Sequence, residues 1–256
     1  MAVFLDIDGT LIGRDQPLLT QDREAMKEAA GKGHFLFLNT GRSFSNIPPV
    51  LLDPGFIKGI AAGGGAHILL ACGGNTPFET IYHRYISEDR LEKIFAWYAV
   101  SSKCCILEGE RDCYYINPST WFFTARTPFY VNSYDKFKEI SKGDFITKLT
   151  LDGFASDEEK RILEAELKPN LFSDYSEWII KGENKAKAME LILKNLGLSR
   201  EDSIAIGDSA NDLDMIRFAG TGIAMGNACA GLKAEATFIT GDCGKGGVAE
   251  ALQKYC

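Results

Sequence analysis

The chain has 256 residues, 45% of them hydrophobic and 25% charged, with 28 basic against 35 acidic side chains and a formal charge of −7. There is apolar material enough to offset chain entropy, which excludes a disordered chain, and the acidic balance argues against nucleic acid as a partner. No run approaches the ~18 apolar residues of a membrane span, and the N-terminus lacks the regions of a signal peptide, so a cytoplasmic protein with no membrane partner is expected.

Short apolar runs that end in polar residues and glycine set the pattern. Ala2-Val3-Phe4-Leu5 runs into Asp6-Ile7-Asp8-Gly9-Thr10. Thr20 to Ala30 reads as a helix with Thr20 as N-cap and Gly31 or Gly33 as its stop. Phe35–Leu38 ends at Asn39-Thr40-Gly41-Arg42, and Ile60–Ala62 ends at Gly63-Gly64-Gly65. Uninterrupted apolar runs of this length read as strands buried on both faces.

From about Tyr82 to Gly182 the runs alternate more and aromatics are denser. Ser87 caps a helix with Leu91, Ile94, Phe95 and Tyr98 on one face. Cys104–Leu107 and Cys113–Ile116 flank a polar turn and form a hairpin. Helices over Tyr134–Ile140 and Asp157–Leu167 each precede a strand, Phe145–Leu151 and Glu177–Lys181.

The first pattern then returns. Lys185–Leu196 is a helix with Ala188, Leu191, Ile192 and Leu196 on one face and Gly197 as terminator. Ile204–Ile206 ends at Gly207-Asp208-Ser209, a helix covers Asp212–Ala219, and Ile223–Met225 and Phe238–Ile239 are further strands. Alternating strands and helices give the α/β class. The expected architecture is a Rossmann-like parallel-sheet core, 1–81 and 183–256, with an α+β domain, 82–182, inserted into it.

In such sheets ligands bind at the carboxyl ends of strands, and there the polar groups gather. Asp6 and Asp8, at i and i+2 of an extended strand, point to one side. Two adjacent carboxylates repel, which either a hard cation such as Mg²⁺ relieves or one retained proton does. Thr40 offers a hydroxyl and Gly41 an amide that can approach an anion closely. Lys185 opens a helix, where a cation opposes the local dipole. Asp208, Ser209, Asn211 and Asp212 follow another buried strand, and Asn211 or Asp212 can cap the next helix. Carboxylates for one Mg²⁺, a hydroxyl, an amide and a Lys for a phosphoryl group, and one carboxylate to attack phosphorus compose metal-assisted phosphoryl transfer. The residues alone leave open which of Asp6 and Asp8 attacks.

Asp6-Ile7-Asp8-Gly9-Thr10-Leu11, Asn39-Thr40-Gly41-Arg42, Lys185 and Gly207-Asp208-Ser209-Ala210-Asn211-Asp212 resemble, in order, the four motifs of the haloacid dehalogenase-like hydrolases. Ala224-Met225-Gly226-Asn227-Ala228 is similar to the Cof-type phosphatase branch. The resemblance implies a Mg²⁺-dependent phosphatase of small phosphorylated metabolites such as sugar phosphates. Asp6 would be nucleophile and metal ligand. Asp8 would be the acid/base, lending the metal its backbone carbonyl. Asp208 would complete the protein ligands, supported by Asp212 or Ser209. Thr40, Lys185, Asn211 and the amides of Ile7 and Gly41 would hold phosphate, and Arg42 is a candidate substrate contact.

The inserted domain would be the family's cap, with specificity in residues such as Trp97, Trp121, Phe122, Arg126 and Tyr130, although aromatics at these spacings more often form a core. Two departures stand out. The branch usually shows Asn-Gly-Ala where this chain has Gly64-Gly65-Ala66, and Gly where it has Ala186. Lys187 rivals Lys185 but should face away along the helix. His67 and His83 read as structural. The seven cysteines lack paired spacing and read as free thiols of a reducing compartment. A phosphosugar mutase shares the chemistry. A phospho-accepting signalling module shares the residue types, but the chain is about twice a receiver's length and carries an acid such a module does not need. The sequence sets no oligomeric state.

Overall fold

The computed structural model describes residues 1–13, 16–53, 55–71, 78–117 and 128–256. Cys72 and the candidates Trp121, Phe122 and Arg126 lie outside them. In chain order the elements are β1 (Ala2–Leu5), α1 (Thr20–Gly31), β2 (Phe35–Asn39), β3 (Ile57–Ala62), β4 (His67–Leu70), β5 (Glu79–His83), α2 (Glu88–Tyr98), β6 (Cys105–Gly109), β7 (Cys113–Ile116), β8 (Phe129–Tyr130) and α3 (Tyr134–Ser141). They continue as β9 (Ile146–Asp152), α4 (Asp157–Leu163), β10 (Leu167–Leu171), β11 (Tyr175–Ile180), α5 (Lys185–Leu196), β12 (Ser203–Gly207), α6 (Leu213–Phe218), β13 (Thr221–Ala224), α7 (Ala230–Glu235), β14 (Phe238–Ile239) and α8 (Gly247–Tyr255). Two compact units result, one of Met1–Gly41, Leu52–Ile81 and Asn184–Cys256, the other of Arg42–Leu51 and Tyr82–Glu183.

The first unit is built on a sheet ordered β14-β13-β12-β1-β2-β3-β4-β5. Pairing is parallel from β14 to β3. Every residue of β1 is fully buried, which is why its sequence is an unbroken apolar run. The parallel-sheet core is as expected, with one edge where β4 pairs antiparallel with β3. Only the tight turn Gly63–Gly65 and Ala66 separate these strands, too few residues for a parallel crossover. From β1 the chain winds to β2 and β3 on one side and later to β12 and β13 on the other. β1 and β12 thus flank the switch point of the sheet, where a ligand crevice opens.

Local signals account for the helices, with corrections. Leu19, not Thr20, is the N-cap of α1, without a side-chain bond. The oxygen of Asp22 is instead turned to the Ala249 amide of α8, at 2.8 Å. Asn184 caps α5 by accepting from Lys187 N, and Gly197 ends it with φ 67°. The buried stripe of α5 is Lys185, Ala188, Met189, Ile192 and Leu193 rather than one that includes Leu191 and Leu196. Burial of Lys185 sets the rotation of the helix, and positions three, four, seven and eight residues on share its face. A short turn, Ala210–Asp212, precedes α6, which begins one residue later than expected.

The second unit is a six-stranded sheet, β10-β11-β9-β6-β7-β8, with helices α2, α3 and α4. Its pairings are antiparallel apart from β7 with β8. Ser87 caps α2 as expected, and Leu91, Ile94, Phe95 and Tyr98 are its buried residues. The helix α4 stops at Leu163 rather than Leu167, and β10, a strand not expected from the sequence, pairs with β11 across Pro169. Proline removes an amide and cannot extend a helix there. The segment 42–51, expected in the core, packs with this second unit. Ser43 Oγ donates to Glu108 Oε2 at 3.0 Å and Ser45 Oγ to the Gly109 carbonyl at 2.7 Å. These buried hydroxyls would otherwise be unsatisfied.

Candidate active site

The register of the central strands builds the site. Leu5 lies opposite Ile206 on one side and Leu38 on the other. The residues at and just beyond these strand ends, Asp6, Gly207-Asp208 and Asn39-Thr40, therefore share one sheet edge. β1 itself stops at Leu5, and the Ile7 carbonyl then closes a turn by accepting from the amides of Thr10, Leu11 and Ile12. That turn separates the two carboxylates expected side by side: Asp6 is buried and Asp8 exposed. Gly9, at φ +76°, permits the turn. A Cβ there would also stand 2.2 Å from Asp208 Oδ2, so only glycine lets the two loops meet.

Lys185 Nζ bonds Asp6 Oδ1 at 2.6 Å and Asp212 Oδ1 at 2.5 Å, all three side chains being buried. The other oxygen of Asp212 accepts from Asp208 N (3.0 Å) and Ser209 N (2.9 Å). Asp212 is the N-cap residue of α6, as expected, but its side chain makes no cap bond forward into that helix. It reaches back to brace the loop that carries Asp208. Ser209 Oγ donates to Asn211 Oδ1 at 2.7 Å, which engages the oxygen of the exposed Asn211. At the end of β2, Thr40 is fully buried, and Gly64 N donates to its carbonyl at 2.9 Å. Asn39 Nδ2 donates to the Lys185 carbonyl at 3.0 Å, so β2 holds the start of α5.

Oxygens of Asp6, Asp208 and Asp212 lie within 4.8 Å of one another. Burial first, then Asp212, raises the Asp6 carboxyl well above the ordinary range, against the opposing pull of Lys185, with Asp8 adding to the rise. The same causes in the same order push Asp208 up to about 7. For Lys185 the cost of burial is outweighed by Asp212 and Asp6, which hold its ammonium above the usual lysine range. Asp208 Oδ1 is buried without a hydrogen-bond partner among the described residues. Hard oxygens short of positive charge, one of them unsatisfied, fit Mg²⁺.

The structure thus brings together Asp6, Lys185, Asp208, Ser209, Asn211 and Asp212, and sets Ile7, Asp8, Thr40 and Gly41 at the adjoining strand ends. Arg42 groups with the second unit, where its Nη1 donates to the Asn46 carbonyl at 2.9 Å. His67 pairs with Thr80 (2.8 Å) and, in the second unit, His83 with Glu110 (3.2 Å). In the second unit Trp97 is half-buried with its edge on Tyr98, and Tyr130 is exposed. Asn39 and Asn227 are site-supporting residues given no role from sequence. Their signal was a polar residue at the carboxyl end of an apolar run, and for Asn227 a motif match.

The family profile of haloacid dehalogenase-like hydrolases matches residues 3–252. The chain belongs to that family. This hydrolase is 26% identical over 261 residues to the 5-amino-6-(5-phospho-D-ribitylamino)uracil phosphatase YcsE of Bacillus subtilis (strain 168), covering 99% of this chain and 94% of that one. A haloacid dehalogenase-like hydrolase from Bacteroides thetaiotaomicron superposes with TM-score 0.85 at 25% identity, covering 100% and 99% of the two chains. The subclass IIB sugar phosphatase BT4131 does so with TM-score 0.80 at 25% identity, covering 99% and 98%. The hydrolase is a phosphatase of the Cof-type branch. Among the described residues no helix is long and apolar enough to cross a membrane.

Proposed function

We propose that this hydrolase is a cytoplasmic Mg²⁺-dependent phosphatase of a small phosphomonoester, a sugar phosphate or similar metabolite, acting through an aspartyl-phosphate on Asp6. The observation that carries the reading is the Asp6–Asp208–Asp212 cluster around Lys185 at the end of the central strand. Asp6 and Asp208, with the Asp8 carbonyl, would hold the cation, and Ser209 and Asp212 would support them. Bound there, Mg²⁺ would neutralise the carboxylates and polarise the phosphoryl oxygens.

The chain's own groups carry the steps. Lys185, Thr40, Asn211 and the amides of Ile7 and Gly41 orient the phosphoryl group so that an Asp6 oxygen lies in line with the ester bond. As the Asp6 oxygen bonds phosphorus, the ester P–O bond breaks, and the departing oxygen takes a proton from Asp8. Asp8, now ionised, takes a proton from water as that water attacks phosphorus, releasing inorganic phosphate and free Asp6. Its exposure suits a group that must meet both a leaving alcohol and water. We assign choice of the leaving group to the second unit and keep Arg42 as a candidate contact.

Rapid-quench labelling with a ³²P-phosphorylated sugar and Mg²⁺ tests this. Label is expected on the Asp8→Asn protein, where hydrolysis of the intermediate stalls, and none on Asp6→Asn. Full turnover in excess EDTA, or label on Asp6→Asn, refutes the assignment. Exchange of 82–182 for a relative's segment should change the substrate profile and keep the metal requirement.

A further inference from the structure

We infer that Asn227 is a positioning residue for the cation-binding edge of this site, its side-chain amide clasping the loop after Asp8 to the loop that carries Asp208. The inference rests on the reading above. Asn227 follows β13, and its Nδ2 donates to the Gly9 carbonyl at 2.9 Å and stands 3.5 Å from Asp208 Oδ2. Its Oδ1 accepts from Cys243 N at 2.6 Å. One amide thus ties together the loops after β1, β12, β13 and β14. Cys229 N adds a bond to the Asp208 carbonyl at 3.0 Å from the same loop.

The geometry says why a clasp is needed. Asp208 Oδ2 faces the bare α-carbon of Gly9, where no side chain can stand between them. The carboxylate and the Gly9 carbonyl both carry negative charge on oxygen and both lie within 3.5 Å of Asn227 Nδ2, so a donor shared between them offsets their repulsion. The Asn227 amide is that donor. It fixes one oxygen of Asp208 against the Gly9 turn and so leaves Oδ1, buried and without a partner among the described residues, as the atom presented to a cation. The same bond to Gly9 holds the turn that presents the Asp8 carbonyl. Groups that orient metal ligands in this way set affinity without touching the metal.

Calorimetric titration of EDTA-stripped full-length protein with MgCl₂ tests the inference, alongside turnover as a function of Mg²⁺. Asn227→Ala is expected to weaken Mg²⁺ binding by about 10–100-fold. The Mg²⁺ concentration for half-maximal turnover should rise by the same factor. At saturating Mg²⁺, kcat should stay within about threefold of wild type and KM for the phosphate ester should barely move. Asn227→Gln, which keeps an amide donor, should recover part of the lost affinity. Asn227 is exposed, so melting without Mg²⁺ should shift little. If the alanine protein does not fold, Asn227→Ser is read in its place. Wild-type Mg²⁺ affinity in the Asn227→Ala protein, whatever its melting temperature, overturns the inference and leaves a loop brace. A glutamine variant no better than alanine overturns the amide as the operative group. A wild-type protein that binds no Mg²⁺ overturns the reading of the site itself, a result distinct from either.

Discussion

Lys185 in the first unit and Lys148 in the second are both buried, and each lies between two carboxylates. Lys185 Nζ meets Asp6 and Asp212 at 2.6 and 2.5 Å; Lys148 Nζ meets Glu177 at 2.5 Å and Glu108 at 3.5 Å. The outcomes are opposite. Burial works against the charge of Glu108, but Lys148 and donors from Thr150, Ser43 and Asn46 outweigh it and hold the carboxyl below its ordinary range. Around Lys185, four carboxyls (Asp6, Asp8, Asp208 and Asp212) share one ammonium, and Asp6 and Asp208 are pushed up instead. The Lys148 network is complete as it stands, and it ties 42–51 to the second sheet. The Lys185 cluster holds more carboxyls than its one ammonium offsets, so it retains protons or takes up a cation, as the proposed site requires.

Matched substitutions sharpen that contrast. Asp6→Asn should lower kcat by at least ~10⁴-fold, because the proposed mechanism forms its covalent intermediate on Asp6. Glu108→Gln should leave kcat within about tenfold, since it touches none of the reacting atoms. Comparable losses in single-turnover assays of the two variants would erase the distinction.

Next in size, Asp8→Asn should cost ~10²–10⁴ in steady-state turnover. The first step should suffer less with p-nitrophenyl phosphate than with a sugar phosphate, because p-nitrophenolate leaves without a proton. Equal loss of the burst rate with both esters would remove Asp8 from proton transfer.

On stability the ranking reverses. Glu108→Ala should cost about 3–5 kcal/mol in denaturant unfolding, since Lys148 loses one partner and three donors lose their acceptor. Asp6→Asn should cost far less in metal-free buffer, because it removes one of several repelling charges. An Asp6→Asn loss equal to that of Glu108→Ala would show the Lys185 cluster to be a structural network after all.

The smallest effect is a pH slope. A carboxyl with its folded pKa above its unfolded value binds protons more tightly when folded. Its contribution is therefore full below about 4 and lost as pH rises through about 7, the value for Asp208. Metal-free wild type should lose on the order of 1–2 kcal/mol over that window after solvent screening, and Asp208→Asn should flatten the slope. Added Mg²⁺ should restore the wild type at pH 8 and leave Asp208→Asn unmoved. A wild-type stability that rises with pH because of Asp208 would contradict the placement.

Much of the site was legible because each functional residue stands at a fixed place beside a regular element. Asp6, Thr40 and Asp208 follow apolar strands, and Lys185 follows the cap residue Asn184. The supporting contacts were not legible. Asn227 meets Gly9 across 218 positions of chain, and no local period carries such a pairing. Ser43 and Ser45 gave no sign that 42–51 leaves the first unit, because their partners Glu108 and Gly109 lie more than sixty residues away.

The sequence by itself determined the α/β class, the strand ends that carry chemistry and the residue types gathered there, since hydrophobic period and turn residues act locally. Tertiary structure alone decided which carboxylates are buried and which exposed. It also decided that the Asp212 side chain, at the N-cap of α6, braces the preceding loop instead of bonding into the helix, and that one buried lysine is satisfied while the other is outnumbered. Those outcomes depend on desolvation and on charges brought close by strand register and loop packing, and neither quantity exists until the chain has folded.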